Sequence, residues 1–192
     1  MKTLEIVVSN KGNGMNAALE QADRTAQQLK LSPKEALHMR LMVEEMMNLM
    51  RSIIGQLEGK FWIETTDGAY QLHLRTSTLL DAEQRAQLLS SSTSGRNEAH
   101  RGIMGKIRAF FEPMPIDETP AYLLDTTVVT SDVNGDLNWS LEAYKERLRK
   151  SEDAEAKEEW DELEKSVISH IADDIQVSIR GYDVELTIYK KL

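Results

Sequence analysis

The chain has 192 residues, 41% of them hydrophobic, enough for one domain with a sizeable core. Lys and Arg total 23 against 32 Asp and Glu, a formal charge of -9, and no basic cluster offsets it; this excludes nucleic acid and anionic membranes as expected partners. Cysteine is absent, which rules out a disulfide framework or a thiolate metal site, and no apolar run is long enough to span a bilayer.

In chain order, Thr3–Ser9 alternates and is rich in Ile and Val, so it reads as a strand; a strand pattern where a signal peptide would lie makes the cytoplasm the expected compartment. Asn10–Gly14 reads as a turn, and Met15–Leu31 as a helix with Ala18, Leu19, Ala22, Ala26 and Leu29 on its apolar side. The dominant element is a helix over Ser32–Gly55. Ser32 and Pro33 are start signals, Glu35 completes a capping box, and Gly55 is the stop. Ala36, Met39, Val43, Met46, Met47, Met50, Ile53 and Ile54 recur at three- and four-residue steps and form one buried stripe, in which the methionines read as core. Glu44 and Asn48 interrupt this helix one turn apart, so their side chains leave the same face.

Lys60–Thr66 and Ala69–Arg75 read as strands of a hairpin turned at Asp67-Gly68. Leu80–Leu89 reads as a short amphipathic helix, Ser90–Arg96 as a loop, and Ala99–Phe111 as a helix stopped by Pro113 and Pro115. Ile116–Asn138 has a weak pattern: a helix or strand at Ala121–Leu124, a strand fragment at Val128-Val129 and a turn at Asn134-Gly135. Ser140–Lys150 and Glu152–Ala172 read as charged amphipathic helices, with stripes at Leu141, Tyr144 and Leu148 and at Trp160, Leu163, Val167 and Ile171. Ile175–Ile179 and Tyr182–Tyr189 read as a closing hairpin turned at Arg180-Gly181. Clustered helices with antiparallel strand pairs predict an α+β two-layer sandwich, one domain over 1–192. The four histidines are scattered without metal-ligand spacing.

Leu41-Met42-Val43-Glu44-Glu45-Met46-Met47-Asn48, set between an amphipathic helix and a hairpin, resembles the E-x-x-x-N box of the histidine kinase-like (GHKL) ATPase superfamily, in particular its anti-sigma-factor serine-kinase branch. The resemblance covers roughly residues 1–112 and 173–192 as an ordered set of elements, and so implies a helical insertion about 113–172 before the last two strands. It implies the Bergerat fold, bound ATP and Mg2+, and an ATP-binding regulatory protein of the serine/threonine-kinase type. Asn48 would ligate the magnesium, a hard cation that takes oxygen donors, and Glu44 would act as general base; Glu45 is a rival for the second role. The family's D-x-G-x-G falls on Arg75–Asp81, where Thr76 stands for the aspartate, Thr78 follows, and both glycines are missing. Gly95-Arg96 and Gly102-Ile103-Met104-Gly105 resemble the glycine-rich lid and the helix start that cradle phosphates; the alternative for Gly102 and Gly105 is close helix packing. The implied partners are a sigma factor or its antagonist and a second copy in a homodimer. The alternative is a degenerate relative that keeps the fold as a non-catalytic protein-interaction module, which the lost adenine motif favours.

Overall fold

Alternating side chains build one sheet with a dry face and a polar face. The computed structural model describes residues 1–9, 14–52, 58–77, 107, 129–131, 137–151, 154–180 and 183–192. The elements are β1 (Ile6–Ser9), α1 (Met15–Gln28), α2 (Pro33–Ser52), β2 (Glu58–Thr66), β3 (Ala69–Ser77), β4 (Val129–Ser131), β5 (Leu137–Ser140), α3 (Leu141–Lys150), α4 (Ala154–Lys165), α5 (Val167–Ile171), β6 (Asp174–Arg180) and β7 (Asp183–Lys191). The strands form a seven-stranded sheet in the order β1-β2-β3-β7-β6-β5-β4. Every pairing is antiparallel. Two meanders, β1-β2-β3 and β4-β5-β6-β7, are therefore joined by the β3–β7 seam, which runs over nine residue pairs from Ala69↔Lys191 to Ser77↔Asp183.

The register aligns apolar residues into rows. Ile6, Phe61, Leu74, Leu186, Val177 and Trp139 are successive cross-strand partners. Ile63, Leu72, Ile188 and Ile175 form a second row. Both rows belong to a single core cluster with Ala18, Ala22 and Ala26 of α1, the α2 stripe, Leu141, Tyr144 and Leu148 of α3, and Ile168 and Ile171 of α5. Met39, Met42, Met46 and Met50 are fully buried, as expected of core methionines. The chain is thus α+β, with helices packed on one sheet face.

The entry to α2 follows the sequence closely. Ser32 N–H donates to Glu35 Oε2 at 2.8 Å and Glu35 N–H to Ser32 Oγ at 3.3 Å, a reciprocal capping box. Hydrogen bonding of the Glu35 carboxyl by the Ser32 side chain, and then by the Ser32 backbone N–H, holds it below its usual range. The Gly55 stop lies outside the described residues. α1 ends earlier than its apolar pattern suggests. Lys30 adopts φ 53°, its N–H reaches Gln27 O, and Leu31 N–H reaches Ala26 O, a Schellman closure built without glycine.

The structure departs from the sequence expectation elsewhere as well. Leu137–Ser140 is a strand rather than irregular chain, because it pairs with β6 through Trp139↔Val177. The helix expected over Glu152–Ala172 is two, α4 and α5, broken at Ser166, whose backbone is extended with φ -80° and ψ 116°. The expected hairpin turn at Arg180-Gly181 falls partly outside the described residues, but β6 and β7 pair as anticipated. Of the helix expected over Ala99–Phe111, only Ile107 is described; it is helical and fully buried in the core. The stretch expected as a helical insertion supplies, among its described residues, two strands of the main sheet as well as three helices.

On the polar face, Glu185 of β7 joins two neighbours on β3. Its Oε1 lies 3.0 Å from His73 Nδ1, and its Oε2 accepts from Arg75 Nε at 2.9 Å. The hydrogen bond to His73 and then those from Arg75 outweigh partial burial and hold the Glu185 carboxyl down to about 2. A depressed carboxylate contributes stability that is present above its unfolded value and lost as pH falls through its folded value. Wild-type protein is therefore expected to exceed Glu185→Gln in stability at pH 6, and the gap should close between about pH 4.5 and 2 in urea denaturation. Gly14 and Gly68 both have positive φ, 79° and 81°. A Cβ at Gly68 meets nothing, whereas one at Gly14 would lie 1.9 Å from Val7 O. Gly68→Ala should cost roughly 1–2 kcal/mol from backbone conformation alone, and Gly14→Ala clearly more, measured by the same denaturation.

Candidate functional site

α2 crosses the inner sheet face from the Tyr70 end to the Gly59 end. Its first turn places Glu35 close enough to Tyr70 and Lys190 for their charges to interact. Toward its other end, the Met50 methyl lies 3.2 Å from where a Gly59 Cβ would stand. Gly59 is the cross-strand partner of Thr76. The C-terminal turns of α2 and the end of β3 thus meet at one end of the molecule. The first turn of α1 arrives there too, since Arg51 Nε donates to Met15 Sδ at 2.9 Å. The α1 N-cap is Gly14, which offers no side-chain cap.

Glu44 and Asn48 sit on the flank of α2 turned away from its Met39–Val43–Met46–Met50 stripe. Asn48 is exposed and Glu44 and Glu45 are half-buried. Glu44 is engaged: Arg40 Nε donates to its Oε1 at 3.2 Å, while Arg40 Nη1 donates to Asp23 Oδ2 on α1 at 2.7 Å. The ion pair stays 39% exposed on both sides, so it orients the carboxylate more than it stabilises the fold. Its i, i+4 spacing was readable in the sequence; the link to Asp23 needed the packing of two helices.

Thr76 is buried at 1% exposure on the inner face. Its hydroxyl donates to Glu58 O at 2.9 Å, which ties β3 to the start of β2. An aspartate there would carry charge into the core edge; a threonine, its proton given to Glu58 O, can still accept through its lone pairs but carries no charge. Thr78, Gly95, Arg96, Gly102 and Gly105 lie outside the described residues. The structure therefore brings Asn48 and Thr76 to one end of the molecule, with Glu44 one turn further back along α2.

Among the described residues, no group of three or more His, Cys, Asp or Glu could hold a metal. A neutral carboxamide and an ion-paired carboxylate make no metal site by themselves. Asn48 alone could offer one oxygen ligand, so a magnesium ion there would have to be held mainly by phosphate oxygens and water.

A cleft lies on the polar side of the sheet, beside β6 and β7. α3 rises from the end of β5, capped by Ser140 Oγ to Ala143 N–H at 3.1 Å and by Asp174 Oδ1 to Glu142 N–H at 3.1 Å. With the polar sheet face it encloses a cleft of about 880 Å³ floored by Gln71, Gln176, Thr187 and Tyr189. Its charges are largely committed: Asp173 accepts from Lys190 Nζ and Lys191 N–H, and Lys145 Nζ donates to Ser169 O at 3.0 Å. Burial, then the nearby Arg149 charge, lowers the Lys145 ammonium from its ordinary value.

Compared with known protein families and with characterised proteins, the chain matches none. No described helix is long and apolar enough to cross a membrane. Replacing Thr76 by valine keeps the shape and removes the bond to Glu58 O; it should cost about 1 kcal/mol in urea denaturation.

Proposed function

We propose that the chain is an ATP-binding regulatory protein of the histidine kinase-like ATPase type, with Asn48 helping to hold magnesium and Glu44 beside the phosphates. The observation that carries this reading is the placement of a carboxylate and a carboxamide one turn apart on α2, outside its core stripe, in the order strand, helix, helix, hairpin. In this reading ATP reaches the end where α2, α1 and β3 converge, and the 95–106 segment supplies backbone amides and Arg96 to the phosphates. The Arg40 partner of Glu44 and the uncharged Thr76 favour binding with slow turnover over a fast kinase. The protein would act in the cytoplasm, as a homodimer, on a sigma factor or its antagonist.

The second reading, a non-catalytic interaction module, is favoured by Thr76: its hydroxyl is buried and bonded to Glu58 O, so the adenine pocket would lack the charged acceptor that an aspartate supplies.

Calorimetry with Mg-ATP separates the two. The first reading expects saturable heat from wild-type protein, a higher Tm at ligand excess, and an affinity at least tenfold weaker in Asn48→Ala with an unchanged fold. No heat and no Tm change at millimolar Mg-ATP would leave the interaction module standing.

A further inference from the structure

Across the cleft beside β6 and β7, a helix and a sheet face each other with polar side chains on both sides. Register sets the floor. Gln71, Tyr189 and Asp174 are successive cross-strand partners on β3, β7 and β6. Thr187, Gln176 and Ser140 form the neighbouring row on β7, β6 and β5. The wall is one face of α3. Glu142, Lys145, Glu146 and Arg149 recur at helical spacing and line the cleft, while Leu141, Tyr144 and Leu148 belong to the core. The space between measures about 880 Å³, the size of a small-molecule site. Packed elements ordinarily close such a gap with apolar side chains. Among the described lining residues the largest aliphatic group here is the Ala143 methyl.

The lining selects a ligand by charge and by hydrogen bonding. Lys145, Arg149 and Lys191 stand against four carboxylates, so neither sign dominates. Two of those carboxylates are spent inside the protein. Asp174 accepts from Glu142 N–H, Ile175 N–H and Gln176 Nε2, and Asp173 accepts from Lys190 Nζ and Lys191 N–H. Lys145 Nζ donates to Ser169 O, and the Arg149 guanidinium lies over the Trp160 ring. A charged ligand therefore finds no surplus of the opposite sign. An apolar ligand would cover the amides and hydroxyls of the floor and leave them without partners. Two floor groups have no protein partner among the described residues: the Gln71 carboxamide and the Tyr189 hydroxyl, directly opposite each other on β3 and β7. Both residues are half-buried. Each group donates and accepts, and a ligand hydroxyl does the same. The tyrosine ring adds an apolar surface that the C–H face of a pyranose can cover.

We propose that this cleft is a binding site for a neutral sugar, a di- or oligosaccharide whose hydroxyls bond Gln71, Tyr189 and Gln176 on the floor and the polar face of α3 on the wall. The site lies on the sheet face opposite α2, since its floor residues alternate with Leu72, Ile188 and Ile175 of the core. It is independent of nucleotide binding.

Nuclear magnetic resonance on 15N-labelled full-length protein tests the site. Maltose, cellobiose and lactose are the neutral probes; glucose, glucuronate and glucosamine compare charge on a single ring. At least one neutral disaccharide should shift the backbone amides of Gln71, Gln176, Tyr189 and α3 saturably, with a Kd of about 10 mM or tighter. Gln71→Ala and Tyr189→Phe each remove one unpaired group and leave the β3–β7 pairing in place. Each should weaken that binding by roughly three- to tenfold. Glucuronate and glucosamine should bind no tighter than glucose. No saturable shift from any neutral probe, shifts centred outside the cleft, wild-type affinity in either variant, or a charged ring preferred over glucose would each overturn the proposal.

Discussion

The β3–β7 seam is the constraint on which the structure depends. Each meander alone has a dry face that needs a partner layer, and neither encloses the whole core. The seam sets Leu72 against Ile188 and Leu74 against Leu186, which brings the two apolar halves into one surface beneath α2. On the opposite face the same register sets His73 against Thr187 and Arg75 against Glu185. A slip of one residue would exchange the two sets, sending charge into the core and aliphatic side chains into water. The dry rows and the Glu185 network therefore specify the same alignment from opposite sides.

The α2 helix shows how much of the fold was legible in local sequence. Its capping box, its methionine stripe and the Asp67-Gly68 turn beyond it depend on contacts within a few residues, and each stands as the pattern implies. β5 was not legible, because Leu137–Ser140 is too short to display alternation and becomes a strand only by pairing with β6, nearly forty residues later. The break between α4 and α5 was hidden as well. Ser166 is an ordinary helix residue by propensity, and what ends the helix there is the buried Ser169 hydroxyl bonding back to Leu163 O and Ser166 O. The Lys30 closure of α1 lacked the usual glycine signal.

For the candidate site, spacing alone put Glu44 and Asn48 on one flank, and the structure keeps them there. Spacing could not reveal that Arg40 stands between Glu44 and Asp23, a relation that requires α1 and α2 to be packed side by side. Nor could it reveal that Thr76 spends its hydroxyl on the neighbouring strand, since that bond exists only once the hairpin is in register. The outer-face cleft was invisible for the same reason: Gln71, Tyr189 and Asp174 are ordinary residues until three strands bring them together.

The sheet order also sets a timetable. β7 occupies the middle of the sheet, yet it follows every other described strand in the chain. While the ribosome is still at work, β3 holds an unsatisfied hydrogen-bonding edge and the inner row of Leu72 and Leu74 has no neighbour on that side. The nascent chain must keep this gap from being filled by another molecule until the final strand slots in. A folding intermediate without β7 therefore exposes an edge through which chains can aggregate.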